Sequence, residues 1–403
     1  MIITVAIYLS PLYVLVLVYF ARRSLRWMRA CHGIAERKWF KITVITVYTL
    51  LASGVGVAVL LPQGTQMHRA VKLVSNYWLG IFAYIIMFTA AADLLKLILR
   101  AAKKIPSKAQ VSNRTVALTG GVTALLIAAM SIYGMANATV IHNTQYSVDV
   151  NKASAVGDLN IVLVADTHLG YSIGVPMVQK MVDKINAMNA DVVCLAGDIF
   201  DNEYAALDNP QQLIQLLQSI KSKYGVYACW GNHDVEETIL AGFTFRSGQP
   251  KLPSARMEAF LREANITLLA DESVLVENAF YLAGRRDARQ PGTVDKSRLT
   301  PAEITAGMDK TLPVIVIDHE PRELAQLAAA GVDLDLCGHT HAGQIFPANI
   351  TIHLLWENAY GHLQKGNMHN IVTSGVGVFG PFMRTFTKSE VVQVQVHFTQ
   401  NAD

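Results

Sequence analysis

Carboxylate, imidazole and amide side chains gather in five short motifs between residues 166 and 344. These are Asp166-Thr167-His168, Gly197-Asp198, Gly231-Asn232-His233-Asp234, His319 within Asp318-His319-Glu320-Pro321, and Gly338-His339-Thr340-His341-Ala342-Gly343-Gln344. In number and type these groups match what two adjacent divalent metal ions need, which is equipment for hydrolysing phosphate esters. Asp166 and His168 are two residues apart, so in an extended segment both point to one side and grip one ion. Asp198 has two oxygens with which to bridge two ions, and Gly197 lets the backbone approach. Asn232 gives a neutral carbonyl oxygen, His339 and His341 are again two apart, and His319 completes the set. With Asp166 and Asp198 as the only anionic ligands, two divalent cations retain a charge of about +2, which hydroxide and phosphate would neutralise. A ligand set of oxygen and nitrogen without cysteine suits Mn, Fe or Zn. Taken singly the motifs are weak, because Asp-x-His, Gly-Asp and Gly-Asn-His-Asp are all also turn chemistry. Their order and their placement carry the reading.

Placement comes from strands and helices in alternation after residue 158. Short apolar runs at 159–165, 191–196, 226–230, 313–317 and 332–337 read as strands buried on both faces. Segments 177–188, 211–222, 256–264 and 322–330 have helical spacing, and 390–397 alternates as a half-buried strand should. Every motif then follows the C-terminal end of a strand, where open α/β sheets bind ligands.

The chain has 403 residues, 52% of them hydrophobic, and a mean hydropathy of +0.29, too apolar for an ordinary soluble enzyme. The excess sits in four blocks near 2–20, 42–61, 77–99 and 116–134, each about the 20 residues that cross a bilayer. The first block has no basic residues before it, carries Pro11 and is followed by Arg22, Arg23, Arg26 and Arg29, which is not the pattern of a cleaved signal peptide. Those arginines with Arg37, Lys38 and Lys41 make the first loop basic, and Arg100, Lys103, Lys104, Lys108 and Arg114 do the same for the third. The loop at 62–76 has only Arg69 and Lys72. The positive-inside rule puts the first and third loops in the cytoplasm and everything after about Gly134 outside. Asp93 and Lys96 are expected to pair on one helix face and snorkel. The division is 1–140 for the membrane region, 141–157 for a linker, 158–397 for the catalytic domain and 398–403 for a tail.

A net charge of +3, with its basic residues in the inner loops, points to anionic lipid headgroups and not to nucleic acid. Cys31, Cys194, Cys229 and Cys337 form no disulfide framework and are not spaced as zinc ligands.

The five motifs in order resemble the calcineurin-like metallophosphoesterases, whose pattern is Asp-x-His, Gly-Asp, Gly-Asn-His-Asp/Glu, His and Gly-His-x-His. The membrane-anchored bacterial phosphodiesterases among them are the most similar, through His319-Glu320-Pro321, residues 338–344, and Gly375-Val376-Gly377 with Pro381, Arg384 and Glu390. Ala342 stands where that subgroup usually has glycine, and 382–389 departs from its usual wording. The resemblance implies a four-layer α/β/β/α sandwich preceded by four transmembrane helices. It implies one metal on Asp166, His168, Asp198 and His341, and the other on Asp198, Asn232, His319 and His339. His233 would face the substrate, with Asp201 orienting its imidazole. A hydroxide bridging the ions would attack phosphorus in line while His233 assists the leaving oxygen.

Segments 235–256, 284–300 and 344–369 are the long loops expected to rim the site. They carry Phe243, Phe245, Arg285, Arg286, Arg289, Phe346, Trp356 and Tyr360. Arg285 and Arg384 are the candidate substrate-binding residues. An apolar rim beside a bilayer favours a lipid phosphate or lipid-linked pyrophosphate over a soluble phosphorylated substrate. Three alternatives stay open: a sensor that binds phosphorylated ligands without hydrolysis, a transporter component, and, with inverted topology, a cytoplasmic lipid-precursor pyrophosphatase.

Overall fold

The apolar runs become strands because their β-branched side chains are buried on both faces of two sheets. A computed structural model describes residues 2–104, 111–237, 254–288 and 298–400. Phe243, Phe245 and Arg289 lie outside the described residues. The chain divides into two compact units, one built on the residues up to Met135 and the other on most of those from Ala136 onward.

The first unit is helical, with α1 (Ile2–Cys31), α2 (Lys38–Leu60), α3 (Gln66–Ala101) and α4 (Asn113–Ala138). Among the described residues, α2, α3 and α4 are long and apolar enough to cross a membrane. Four spans were expected, and three candidates stand among the described residues. Inside this unit Phe20, Ala52, Trp78 and Phe82 form a small buried cluster, with Trp78 stacked on Phe82 at 5.4 Å. The expected Asp93–Lys96 pairing gives way to a longer-range one. Asp93 accepts from Arg23 Nη1 at 2.6 Å and Tyr19 OH at 2.7 Å, since a partner on a neighbouring helix meets the carboxylate head-on.

The second unit holds two six-stranded sheets. The first contains β1 (Ile141–Ala153), β2 (Leu159–Val164), β3 (Val192–Ala196), β4 (Val226–Cys229), β5 (Ile266–Leu268) and β12 (Ser389–Gln400), in the order β1-β12-β2-β3-β4-β5. The second contains β6 (Glu272–Val276), β7 (Phe280–Gly284), β8 (Val314–Ile317), β9 (Leu334–Cys337), β10 (Gly361–Lys365) and β11 (Met368–Val372), in the order β10-β11-β9-β8-β7-β6. Ile161, Leu163, Val192 and Val394 of one sheet share a buried core with Leu282, Ile315, Leu334 and Ile371 of the other. Helices α5 (Val175–Ala187), α6 (Pro210–Gln218) and α7 (Ala255–Glu263) accompany the first sheet, while α8 (Pro301–Ile304) and α9 (Leu324–Ala329) pack on the second around Val316, Leu324 and Leu327.

Residues 141–157 do not form the expected linker. From Ile141 the chain pairs in parallel with β12, and Val148 and Val150 enter the core, so alternation that is polar on one face only reads as loose chain until its partner is known. The expected tail at 398–403 is shorter for the same reason, because β12 runs to Gln400.

Candidate metal centre

The site is made where two sheets deliver their parallel strands to one edge. Asp166 and His168 follow β2, Asp198 follows β3, Asn232 and His233 follow β4, His319 follows β8, and His339 and His341 follow β9. Asp166, His168, Asp198 and His319 are at most 2% exposed, and His233 and His341 are buried beside them. The expectation that extended backbone aims the paired ligands is corrected here. Asp166 (φ 53°), His168 (φ 45°), Asp198 (φ 48°), His339 (φ 73°) and His341 (φ 50°) all lie in the left-handed region. Sharp turns at the strand ends, and not pleat alternation, swing these side chains inward.

Close backbone approach makes the turns fit. A Cβ on Gly197 would stand 2.7 Å from both Gly231 N and His319 Nδ1. Gly377 lies so near the Asp166 turn that a Cβ there would be 2.2 Å from Thr167 O, and its N–H donates to Asp166 O at 2.8 Å. The late Gly-x-Gly segment therefore holds the Asp166 turn in place. Asp234 closes the third motif, accepting from Gly231 N at 2.7 Å and Phe200 N at 2.8 Å, and burial pushes its carboxyl up to about 7.

Three groups of side chains could hold a metal ion: Asp166, His168 and His341; Asp198, His319 and His339; and, sharing a member with the first, His168, Asp201 and His233, each with its donor atoms within 4.8 Å of one another. In the first, His168 Nε2 is 3.0 Å from His341 Nε2, and Asp166 Oδ1 is 3.5 Å from the latter. In the second, His319 Nε2 is 3.1 Å from Asp198 Oδ2 and 3.1 Å from His339 Nδ1. Asp198 Oδ2 also stands 3.8 Å from His168 Nε2, so one carboxylate oxygen looks toward the first two groups.

The donor chemistry fits cations. His319 Nδ1 is 2.8 Å from Ala196 O, a pure acceptor, which fixes the ring proton on Nδ1 and turns the Nε2 lone pair toward Asp198. Lone pair facing carboxylate is unfavourable unless a proton or a metal lies between them. Asn232 Oδ1 is buried with no hydrogen-bond donor among the described residues, as a carbonyl held for a cation would be. The metal-free electrostatics show the same demand. For His319 burial works against protonation, but Asp198 and Asp166 lift it well above the ordinary histidine value. For Asp198 burial works upward, but His319, His233 and His168 carry it well below the usual carboxylate range. A proton thus occupies the electrostatic place of a cation, and metal binding would displace it. Burial pushes Asp166 up to about 6 against the pull of His319. Burial, with His168 and Arg384, pushes His341 well below its usual value.

His233 belongs to the group with His168 and Asp201. Its N–H donates to Asp198 Oδ1 at 2.7 Å, and burial lowers its ring to about 4, so it is neutral at pH 7. Asp201 was expected to orient this imidazole, but its Oδ1 stands 3.9 Å from His233 Nδ1 and 3.6 Å from His168 Nδ1. The close partner of His233 Nδ1 is Asn202 Oδ1. Sequence carried no signal for Asn202, because either of two adjacent polar residues at a turn can face inward.

Arg285 and Arg384 are not presented to a substrate. Both are 0% exposed. Arg285 pairs with Asp318 and Glu323 at 2.8 Å each, and Arg384 donates to the carbonyls of Ser374 at 2.6 Å and Gly377 at 2.7 Å with its Nη2 3.2 Å from His341 Nδ1. Each guanidinium holds a site loop from beneath. Glu320 was not singled out in the sequence, yet it is fully buried with Oε1 3.3 Å from His339 Nε2. A buried acid directly after a candidate ligand histidine was the available signal. Trp356 lies edge-on to His339 at 5.1 Å, while Tyr360 turns away to Glu390 at 3.1 Å.

Residues 159–343 match the calcineurin-like phosphoesterase family. The chain is 26% identical to an uncharacterized metallophosphoesterase of Campylobacter jejuni, over 89% of this chain and 92% of that one. It is 28% identical to a transmembrane protein with metallophosphoesterase domain from Danio rerio, over 91% and 82%. It is also 24% identical to the UDP-2,3-diacylglucosamine pyrophosphatase LpxG of Chlamydia trachomatis, over 57% and 79%. With the motifs at the strand ends and the side-chain groups they form, residues 159–343 constitute a calcineurin-like phosphoesterase domain, and the chain is a phosphoester hydrolase that also carries helices long and apolar enough to cross a membrane.

Proposed function

We propose that the protein is a membrane-anchored dinuclear phosphoesterase whose substrate is a lipid-linked phosphodiester, phosphomonoester or pyrophosphate. The observation that carries the dinuclear reading is Asp198 Oδ2, within 3.1 Å of one ligand group's His319 and 3.8 Å of another's His168. Asp166, His168, Asp198 and His341 would hold one ion and Asp198, Asn232, His319 and His339 the other. When bound, such ions polarise phosphoryl oxygens and make hydroxide available at neutral pH. Mn, Fe and Zn all suit the donors.

The protein's own groups orient and support. Neutral His233 hydrogen-bonds a phosphoryl or leaving oxygen, with Asn202 fixing its ring and Asp201 bracing His168. The left-handed turns hold the ligands at fixed spacing before substrate arrives. Lipid-linked substrates are favoured by the membrane helices and by the LpxG relative, whose name records a diacylated nucleotide-sugar pyrophosphate. We read α1 as a fourth span, because Tyr13 and Phe20 pack on Phe82 at 5.8 Å each and Arg23 pairs with Asp93, which joins α1 to the apolar helices. Four spans with basic first and third loops support a catalytic domain outside the cytoplasm. A cytoplasmic lipid-precursor pyrophosphatase is the second reading, favoured by the LpxG likeness alone.

The test is hydrolysis of bis-p-nitrophenyl phosphate by the detergent-purified protein, with and without Mn²⁺, beside Asp198→Asn. Metal-dependent turnover that falls at least about 100-fold in the variant, with loss of bound metal, is expected. Turnover that persists in Asp198→Asn would overturn the dinuclear assignment.

A further inference from the structure

Large apolar side chains exposed beyond α4 are few, and they are not scattered. Among the described residues they are Val140, Leu275, Ile350, Leu354, Leu355 and Phe386. Three of the six fall within one stretch of six residues, with Ile350 61%, Leu354 84% and Leu355 77% exposed. That stretch belongs to a short helix, Ala348–Thr351, and the turn that follows, Ile352–Leu354. From Gln344 to Trp356 there is no Asp, Glu, Lys or Arg, in a chain that is 16% charged. Water-facing surface segments of soluble domains are not composed this way.

The segment is tied to the metal centre at both ends. It leaves from His341 through Gln344, and it returns with Trp356 lying 5.1 Å from the His339 ring. Its base meets the segment that carries Phe386, which is 60% exposed. Phe346 packs edge-on to Phe386 at 5.8 Å, Phe346 N donates to Thr385 Oγ1 at 2.8 Å, and Thr387 Oγ1 donates to Gln344 O at 2.9 Å. Asn137, in the last turn of α4, donates to Arg384 O at 3.1 Å and to Thr387 O at 2.7 Å, on either side of Phe386. The uncharged segment is therefore braced to the point where the chain leaves the α4 span. Exposed Val140 lies at that same point, two residues past the helix end.

We infer that residues 345–355, with Phe386, form a bilayer-contacting surface that inserts Ile350, Leu354 and Leu355 into the lipid interface. The inference rests on the reading of the chain as a membrane-anchored enzyme. The occupant is lipid because the patch stands where a membrane helix emerges and has no charge to match to a protein partner. Interfacial elements bury apolar side chains roughly 5–10 Å into the boundary between headgroups and acyl chains. The metal centre, joined to both ends of the segment, is thereby presented to phosphoesters at headgroup depth.

The full-length Cys31→Ser protein carrying Leu354→Cys, labelled with an environment-sensitive fluorophore, tests this after reconstitution in phosphatidylcholine and phosphatidylglycerol nanodiscs. Cys31 is the exposed native thiol, while Cys194, Cys229 and Cys337 are buried. Gln364→Cys, on the exposed side of β10, is the control position. Blue-shifted emission at 354 that is quenched by lipids brominated along the acyl chain, with neither effect at 364, is the expected result. Water-like emission at 354, or a blue shift that lipid bromines do not quench and that grows with protein concentration, would overturn it; the second outcome would assign the patch to another copy of the chain. The readout needs no turnover. Quenching at 354 without hydrolysis of bilayer lipid phosphates would defeat the substrate reading alone, and lipid hydrolysis without quenching would defeat this inference alone.

Discussion

Positive φ angles at Asp166, His168, Asp198, His339 and His341 place five of the seven proposed ligands in a conformation that costs an L-residue on the order of 1 kcal/mol. Asp and His tolerate it better than most residues; alanine has no such compensation. Ala342 sits at φ 50° in the same run. Ala342→Gly is therefore expected to stabilise the protein by about 1 kcal/mol, seen as a higher midpoint of thermal unfolding in detergent. An unchanged or lower midpoint would show that the loop relaxes around the methyl group. Glu320 supports a second expectation. Its carboxylate opposite His339 Nε2 keeps Nδ1 unprotonated for a metal, so Glu320→Gln should weaken binding of the second ion by about tenfold, measured as metal content against free metal. That these Asp, Asn and His residues gather at one site was legible in the sequence, because two metals demand a characteristic count of those types. Their aim was not legible, because two-residue spacing suggests a strand where the chain makes left-handed turns. Arg285 and Arg384 misled for a related reason: sequence shows a cation but not that its partners, Asp318 and the Ser374 and Gly377 carbonyls, lie underneath it.

Strands β2, β3, β4, β8 and β9 could be read directly, since continuous apolar runs ending in Gly, Asp or His are uncommon outside buried parallel strands. The β6–β7 and β10–β11 hairpins could not. Each is short, and only one strand of each pair, β7 or β11, is mostly or fully buried. The largest misreading was β1, whose identity depends on β12 some 248 residues later. Within the second sheet, Asp335 of β9 is fully buried and accepts from Asn370 Nδ2 at 2.9 Å, and burial together with Asp318 pushes its carboxyl up to about 7. A carboxyl raised above its unfolded value is protonated in the fold, so its stabilisation is complete below pH 4 and is lost as pH rises to about 7, by up to ~1.4 kcal/mol per unit. Asp335→Asn removes that loss. Its stability relative to the parent should climb between pH 4 and pH 7 and level off above, in unfolding measured across that range. A difference independent of pH would place the proton elsewhere.

For the whole molecule, charge in the loops makes the prediction that helix geometry does not. With the catalytic domain outside, a membrane-impermeant thiol reagent should label Gln364→Cys in the Cys31→Ser background in intact cells and label it no further after the membrane is opened. Labelling only after opening would favour the cytoplasmic pyrophosphatase reading. Membrane attachment was legible because apolar length is a compositional signal. One feature of the catalytic unit bears on how the chain is made. β12 lies between β1 and β2, so the first sheet stays split until residues 389–400 have been synthesised. The apolar helices emerge from the ribosome well before that, and throughout this interval the catalytic segment lacks the strand that joins its edge to its centre. A domain whose keystone arrives last stays threadable, and a threadable chain is what a translocation channel requires.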